Sequence, residues 1–359
     1  MIKVYIEQHS APEWLPQSLV FWPNFKFEIS PKRLFLKEIM AQYNEPFFLI
    51  TERPEEADFF AIPFEYFFVE KYHPDYLARV YDLAKRAGKK VLLFDYTDYV
   101  DRIPKLPSHA VFFRVSVYKH HQTAQEIVMP YFVEDFGKTI SPHMNRPLKA
   151  VVGFCGLSRY AGHHQALKAW VKRLGVQSLL MLRGDTLSKV HAPGIFWRKK
   201  AVRALKEDSA IDSNLIERSS YSLHSRSISG DPKQVREEYR KNLDVSTLSL
   251  CVRGDANASQ RFYEALSAGR VPLLLDTDSV LPLEDIAPYE QCVIKVPFGE
   301  MATLSKRAVA WYGAQTDTSF IQAEKEARAL FQKYLRLDRY FALVFDRSSS
   351  PYKSILYGA

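Results

Sequence analysis

A glycine turn between two apolar runs brings together residues that could bind an anion. Arg253-Gly254 ends the first run, and Ser259 stands where the next helix is expected to begin, followed by Arg261. The unpaired backbone N–H groups of such a helix start, and the positive end of its dipole, attract phosphate. Arginine adds bidentate hydrogen bonds to phosphate oxygens. The pattern therefore indicates a site for a diphosphate group.

Glu264 lies one turn into this predicted helix, on the same side as Ser259 and Arg261. A carboxylate in this position is able to accept hydrogen bonds from two neighbouring ribose hydroxyls. The structural alternative is that Arg261 and Glu264, three residues apart, form a surface ion pair and that Arg253 is solvated. The residue types and spacing alone leave both interpretations open.

The elements that position these residues form a strand, helix, strand unit. Residues 248–252 and 271–275 are apolar runs of strand length, and Gly269 supplies the residue that ends the intervening helix. Ligands of parallel sheets bind beyond the carboxyl ends of the strands. Strands and helices alternate on either side of this unit as well, so we expect an α/β protein with parallel sheets.

Two stretches give weaker patterns. After a predicted helix at 163–174, residues 176–182 form an apolar run that is interpreted as a strand. Residues 209–231 are rich in Ser, Asp and Arg without clear periodicity, and they are interpreted as a loop that closes on ligand.

The central unit resembles the exostosin family of glycosyltransferases. The resemblance rests on a cysteine, Arg-Gly, Ser-x-Arg, Glu-Ala and Ala-Gly-x-x-Pro within residues 251–275, with Leu281-Pro282 ahead of the last strand. Residues 54–64 and 128–131 resemble further family segments, whereas residues 159–232 show little similarity. The resemblance implies a GT-B-like fold, with two Rossmann-like parallel-sheet domains facing a cleft.

This fold suggests three parts of the chain. An acceptor-binding domain is expected at residues 1–145 and a nucleotide-sugar-binding domain at residues 146–335. The segment 336–359 is expected to pack back on the first domain. For the donor site, the resemblance implies a UDP-sugar held by six residues: Arg253, Gly254, Ser259, Arg261, Glu264 and Gly156.

The resemblance also implies an inverting reaction, in which a base deprotonates the acceptor hydroxyl. Glu65, Asp95 and Asp98 follow predicted strands of the first domain and are the candidates. Asp98 and Glu65 are preferred, because Asp95 is well placed to be tied into its strand end. Each of the three could instead be a loop carboxylate that accepts backbone hydrogen bonds. Arg114, at another strand end, is predicted to meet the acceptor or the sugar, with pairing to one of the aspartates as the alternative.

Composition fits a two-domain globular protein with anionic ligands. The 359 residues carry a net charge of +8, with 47% hydrophobic and 14% aromatic residues. The aromatic residues suit a sugar cleft or, as the default, a large core. The densest basic cluster, Arg198-Lys199-Lys200 with Arg203 and Lys206, resembles the solvated face of a helix, and peripheral membrane contact is the minority interpretation. No aromatic and basic motif of nucleic-acid-binding modules occurs, so nucleic acid is not an expected partner.

No metal or other cofactor is expected to be required. Asp276-Thr277-Asp278 is a D-x-D sequence of the kind that holds a divalent cation elsewhere, but it lies downstream of the predicted site. Arginines and a helix terminus are able to stabilise a leaving diphosphate instead, so metal use is the minority alternative. Three widely spaced cysteines without a C-x-x-C motif favour a reducing compartment. The chain opens on a strand pattern rather than a signal peptide, so a cytoplasmic protein is expected. A place at the inner membrane face and a trimmed ectodomain are the alternatives.

The sequence thus predicts an inverting glycosyltransferase that moves a sugar from a nucleotide sugar to an oligosaccharide or glycolipid acceptor in surface polysaccharide synthesis. The alternative is a noncatalytic nucleotide- or glycan-binding module with the same fold.

Overall fold

The computed structural model describes residues 1–9, 11–12, 15, 17–24, 34–221 and 227–358. Within these ranges the chain forms eleven strands, all of them paired in parallel. The strands are β1 (Ile2–Tyr5), β2 (Phe48–Thr51), β3 (Phe59–Glu65), β4 (Val91–Asp95), β5 (Ala110–Arg114), β6 (Glu126–Val128), β7 (Ala150–Leu157), β8 (Ile211–Arg218), β9 (Leu248–Cys251), β10 (Val271–Asp276) and β11 (Ile294–Pro297).

Eleven α-helices lie in the same described ranges. They are α1 (Leu36–Met40), α2 (Tyr66–Tyr72), α3 (Pro74–Arg86), α4 (His163–Leu182), α5 (Gly194–Lys206), α6 (Pro232–Val245), α7 (Gln260–Ser267), α8 (Leu304–Gly313), α9 (Asp317–Leu330), α10 (Leu337–Val344) and α11 (Lys353–Tyr357). A π-helical turn, Phe331–Leu335, continues α9.

The chain divides into two compact units. The first comprises residues 1–132, 280–287 and 332–359, and the second comprises residues 133–279 and 288–331. The C-terminal segment therefore belongs to the first unit, which also takes in a short excursion between β10 and β11.

The first unit is built on a six-stranded parallel sheet in the order β2-β1-β3-β4-β5-β6. Its central strands are apolar because both of their faces are covered, as the fully buried runs of β4 and β5 show. One face carries a cluster of phenylalanines in which Phe94 and Phe113 stack at 5.3 Å and Phe48 meets Phe341 of α10 at 5.2 Å. Much of the aromatic content of the sequence is thus core, as the default interpretation held.

The second unit contains a five-stranded parallel sheet in the order β11-β10-β9-β7-β8. Its core packs apolar residues of β7, β9 and β10 against α5, α8 and α9, with Leu250, Leu273 and Leu205 completely buried. Gly269 has a φ of +69° at the end of α7, so the predicted left-handed helix end is confirmed. Two Rossmann-like parallel sheets agree with the predicted α/β, GT-B-like fold class.

Two local predictions in the second unit are wrong. Residues 176–182 are not a strand, because α4 continues to Leu182 through Gly175. Residues 209–231 were expected to lack regular structure, yet β8 occupies most of the first half of that stretch as the edge strand beside β7. Residues 222–226 of that predicted loop lie outside the described residues.

Candidate functional site

Three arginines from separate elements of the second unit gather beyond the carboxyl ends of β7 and β9. Arg253 follows β9, Arg261 lies in the first turn of α7, and Arg198 comes from α5. Burial first, and then the positive charge of Arg261, lowers the pKa of Arg198 to about 10; Arg253 adds to this, and Asp255 opposes it. The cluster therefore carries mutually repelling positive charge at neutral pH.

Arg253 is held by the main chain. Its side chain donates hydrogen bonds to the carbonyl oxygens of Val190 at 3.0 Å, Asp255 at 2.7 Å and Gly254 at 3.2 Å. The residue is only 5% exposed. Carbonyl groups satisfy hydrogen bonds without cancelling the charge, so Arg253 both shapes the turn after β9 and contributes to its positive potential.

Arg261 packs against aromatic rings and has one guanidinium nitrogen without a described hydrogen bond. Its guanidinium stacks over Phe154 at 5.0 Å and Tyr239 at 4.7 Å, and it donates to the carbonyl of Cys155. Its Nη1 is buried and makes no hydrogen bond within the described part of the chain. A buried cationic donor without an acceptor is costly, and an incoming anion would satisfy it.

Glycines let the backbone come close to these arginines. A Cβ at Gly156 would lie 3.6 Å from Nη2 of Arg261, and one at Gly254 would lie 3.5 Å from Nη2 of Arg198. At Gly194, the first residue of α5, a Cβ would approach the carbonyl oxygen of Gly254 to 2.3 Å. Only glycine allows α5 to start against this loop, and that start positions Arg198.

The amino end of α7 completes the anion-binding character of this region. Ser259 is the N-cap residue, with extended backbone, and its side chain makes no capping hydrogen bond. The first N–H groups of the helix add partial positive charge beside Arg261. Helix start and arginine cluster thus favour the same kind of ligand.

Glu264 lies in a buried polar network behind the cluster. It accepts hydrogen bonds from the hydroxyl of Tyr239 and from Nε2 of Gln260 at 3.1 Å, and Nη1 of Arg236 lies 3.7 Å from its Oε1. The residue is 3% exposed. Two hydrogen bonds use about half of the roughly four lone-pair sites of a carboxylate. Capacity remains for ligand hydroxyls.

The structural alternative for this region is therefore wrong in its main point. It required a solvated Arg253 and a surface ion pair between Arg261 and Glu264, yet Arg253 and Glu264 are both buried. The ion pair of Glu264 is with Arg236.

The three candidate bases come together in the first unit, at the carboxyl ends of the adjacent strands β3 and β4. Burial, and next the charge of Asp95, raises the pKa of Glu65 to about 8. Burial raises the pKa of Asp95 to about 7, although hydrogen bonds from Thr97 and the charge of Arg114 act in the opposite direction. Asp98 is exposed, and its charge adds to the rise at Asp95. Glu65 and Asp95 therefore change protonation near neutral pH.

The three carboxylates differ in how they are held. Asp95 is 1% exposed, and both of its oxygens accept the hydroxyl of Thr97, at 3.0 and 2.8 Å. Glu65 is partly exposed and accepts the backbone N–H of Tyr96. Asp95 is thus tied to the end of its own strand through Thr97. The sequence predicts this arrangement, and for that reason Glu65 and Asp98 are preferred as the base.

Arg114 is a buried residue of the sheet. It pairs with Glu126 at 2.7 Å, donates to the carbonyls of Tyr99 at 3.0 Å and Arg102 at 3.3 Å, and is 2% exposed. The geometry therefore favours a positioning role over direct contact with an acceptor. Its hydrogen-bonded carboxylate partner is Glu126, and its charge also lowers the pKa of Asp95.

The D-x-D sequence forms a turn after β10. Oδ1 of Asp276 accepts the backbone N–H and hydroxyl of Ser279 at 2.8 and 2.9 Å, while Oδ2 lies 3.3 Å from Nζ of Lys295. Asp278 has a φ of +61°, in the left-handed region. The first carboxylate thus has a structural use in closing the turn.

Sequence reasoning missed Arg198, which it placed on a solvated face. The position of Arg198 in its helix could have indicated that it is partly buried. Arg198 stands three and four residues before the buried Ala201 and Val202, on the apolar stripe of α5, whereas Lys199 and Arg203 are exposed. Tyr239 was also missed. It became visible only in the fold, because it reaches Arg261 and Glu264 from the separate helix α6.

Comparison with known proteins identifies part of the second unit. Residues 196–309 match the model of the Exostosin GT47 domain. The match covers about a third of the chain and contains all three arginines of the cluster. No curated protein matches the sequence. The resemblance to the exostosin family is thereby confirmed, and the match points to glycosyltransferase activity.

Proposed function

From the Exostosin GT47 match over residues 196–309, we propose that this protein is an inverting glycosyltransferase. It transfers a sugar from a nucleotide sugar, in our proposal a UDP-sugar, to an oligosaccharide or glycolipid acceptor during surface polysaccharide synthesis. The observation that carries the proposal is the arginine cluster, in which Arg261 has a buried Nη1 without a described hydrogen-bond partner.

The cluster suits the donor's diphosphate. As the bond from the anomeric carbon to the diphosphate breaks, negative charge develops on the leaving oxygen. Arg198, Arg253 and Arg261 are already charged and already held, so little reorganisation is needed to stabilise that charge. The same region is lined by the backbone of Gly156 and Gly254, which comes close to the arginines. Ser259 adds the start of helix α7. This arrangement is our reason for proposing that no divalent metal is required.

Glu264 is proposed to accept hydrogen bonds from the ribose hydroxyls of the nucleotide. Tyr239 and Gln260 fix the orientation of its carboxylate, and Nη1 of Arg236 lies 3.7 Å from its Oε1. Because the carboxylate is held on the turn of α7 that follows Arg261, one short helix would provide both phosphate and ribose contacts.

The first unit is proposed to bind the acceptor and to supply the base. A carboxylate takes the proton of the acceptor hydroxyl while the hydroxyl oxygen bonds to the anomeric carbon and the diphosphate leaves from the opposite side. Glu65 and Asp98 are the preferred bases. Asp95, held by Thr97, would tune the pKa of Glu65 through its charge. Arg114 would serve the acceptor side by fixing the end of β5.

A transfer assay tests the proposal. The full chain is incubated with UDP-, GDP- and CMP-sugars and a panel of oligosaccharide acceptors, with EDTA or with manganese, and products are analysed by mass spectrometry and by the NMR coupling of the new anomeric proton. We expect transfer from a UDP-sugar with inverted configuration and in the presence of EDTA. Retained configuration would refute the inverting mechanism.

Nucleotide binding without transfer in any condition would favour a noncatalytic module. Glu264→Gln separates the two parts of the proposal, because it should weaken donor binding while preserving the shape of the buried network. An unchanged donor affinity in this variant would remove Glu264 from the site.

A further inference from the structure

Helix α4 presents a large apolar surface that the described chain leaves open. The structure describes all 20 of its residues, and none of them is buried. Its exposed large apolar side chains range from 37% to 86% exposure and are Leu167, Trp170, Val171, Leu174, Val176, Leu179, Met181 and Leu182. A continuous apolar surface of this kind marks an interaction site.

Five of these eight residues share one face of the helix, whereas Val176 and Leu179 lie on other sides. Leu167, Trp170, Val171 and Leu174 follow one another at spacings of three and four, and Met181 continues the same face two turns later. The side of α4 that is partly covered lies elsewhere, at Ala166, Ala169, Arg173, Gln177 and Leu180. The helix is therefore attached along one side and offers an apolar stripe, defined by these first five residues, along another.

The surroundings of the stripe are cationic. Residues 159–206 contain eleven lysines and arginines and a single acidic residue, Asp185. Lys168 and Lys172 of α4 are exposed and form no ion pair with the residues that the structure describes. A partner that fits must be apolar where it meets the stripe and anionic at its edge.

The cationic surface continues onto α5. The ring of Phe196 lies between Arg173 of α4, at 4.2 Å, and Lys200 of α5, at 4.6 Å. These contacts join the partly covered side of α4 to α5, on which Lys199 and Lys200 are exposed.

We propose that α4 lies in the surface of an anionic lipid bilayer. The stripe would enter the boundary between head groups and acyl chains, while Lys168 and Lys172 would contact lipid phosphates. Twenty residues give a helix about 30 Å long. Among the described residues, no helix is both long enough and apolar enough to cross a membrane. This inference goes beyond the proposed function and does not depend on it.

Flotation of the full chain with vesicles tests this inference. Vesicles of phosphatidylcholine with roughly 30% phosphatidylglycerol provide an anionic surface that attracts basic helices. Vesicles of phosphatidylcholine alone are the neutral comparison. We expect binding to the anionic vesicles and at least tenfold weaker binding to the neutral ones. Brominated lipids should quench tryptophan fluorescence, and Trp170→Phe should remove the quenched component.

Matched variants separate the stripe from the charge. Trp170→Glu with Leu174→Glu should weaken binding to anionic vesicles by at least about 100-fold, since both changes add negative charge to the face that would enter the bilayer. Lys168→Gln with Lys172→Gln should weaken it about 25-fold, at about fivefold per basic residue. Leu148→Glu is the control, because Leu148 is 99% exposed and lies outside α4.

Three outcomes would overturn the proposal. The first is a folded wild-type chain that binds neither kind of vesicle. The second is equal vesicle binding by the stripe variant and the wild type. The third is a wild-type dimer in light scattering that the stripe variant abolishes without any vesicle binding, which would assign the stripe to a second copy of the chain. UDP affinity measured on the same variants keeps these results separate from failure of the proposed glycosyltransferase function.

Discussion

The acidic cluster of the first unit and the arginine cluster of the second respond to burial in different ways. At the ends of β3 and β4, burial raises the pKa of Glu65 to about 8 and that of Asp95 to about 7, so these groups relieve their repulsion by taking up protons. At the ends of β7 and β9, the pKa of Arg198 falls only to about 10. The arginines stay charged at neutral pH.

This difference indicates different chemistry at the two sheet edges. A cluster of carboxyl groups that titrates near neutrality is suited to moving a proton. Arginines that cannot lose their charge, and whose hydrogen-bond partners are mainly carbonyls, are suited to a permanent anion. The predictions below would break or sharpen this contrast.

The largest effect is expected from removal of the base. Glu65→Gln or Asp98→Asn should lower kcat by about 100- to 10,000-fold, because proton transfer in the transition state is lost. Donor affinity should stay unchanged, since no donor-binding residue is altered. Steady-state kinetics and calorimetry measure the two quantities. Asp58→Asn, just before β3 at the opposite end of that strand, is the matched control. If neither variant differs from the control, neither Glu65 nor Asp98 is the base.

Arg198→Met should weaken UDP binding about tenfold, the loss expected for one charge-assisted hydrogen bond of about 1.5 kcal/mol. The free energy of unfolding should stay level or rise, because a buried cation repelled by Arg261 is replaced by an apolar side chain of similar length. Calorimetry and urea denaturation give the two values. Lys199→Met, on the exposed side of the same helix, should change neither. A variant that loses stability and keeps its UDP affinity would show a structural role only.

The pH dependence of kcat/KM distinguishes the candidate bases. A base must be deprotonated, so with Glu65 in that role kcat/KM should rise about tenfold from pH 7 to a plateau above pH 8. Glu65→Gln should remove this rise from whatever activity remains. A limb near pH 8 that persists in Glu65→Gln would assign the base to another group.

The same pKa shift predicts a smaller effect on stability. Unfolding returns Glu65 from a pKa of about 8 to about 4.5, so between these values the folded chain binds more protons than the unfolded chain. The free energy of unfolding should therefore fall as the pH rises through this window. Glu65→Gln should reduce the fall by on the order of 1–2 kcal/mol, allowing for the partial exposure of Glu65. Urea denaturation at pH 5 and pH 9 measures it, and parallel curves for both proteins would contradict the shift.

The sequence predicted the elements with short apolar runs and glycine ends, such as β9, β10 and the helix between them. It failed where an apolar run had two interpretations. Residues 176–182 contain leucine and methionine, which are good helix formers, but their apolar run was interpreted as a strand. The sequence did not predict the strand β8, because an edge strand with exposed polar residues such as Asp212 lacks a buried apolar pattern.

At the candidate site, the sequence motif and the family resemblance predicted the residues of β9, α7 and the turn between them. The missing members come from other helices. Arg198 and Tyr239 are distant in sequence from Arg261 and meet it only through the packing of α5 and α6 on the sheet. The burial of Glu264 with Arg236, rather than on the surface, likewise depends on tertiary contacts that spacing within one helix does not specify.

The central claim is that the arginine cluster holds a diphosphate, and calorimetric titration with UDP, UMP and uridine tests it most directly. Wild type should bind UDP at least tenfold more tightly than UMP, in EDTA as well as in manganese, with uridine weaker again. Arg261→Met should lose about 100-fold in UDP affinity and most of the preference for UDP over UMP, whereas Arg203→Met, exposed on α5, should behave as wild type. Equal affinity for UDP and UMP in the wild type, or full UDP affinity in Arg261→Met, would contradict the account.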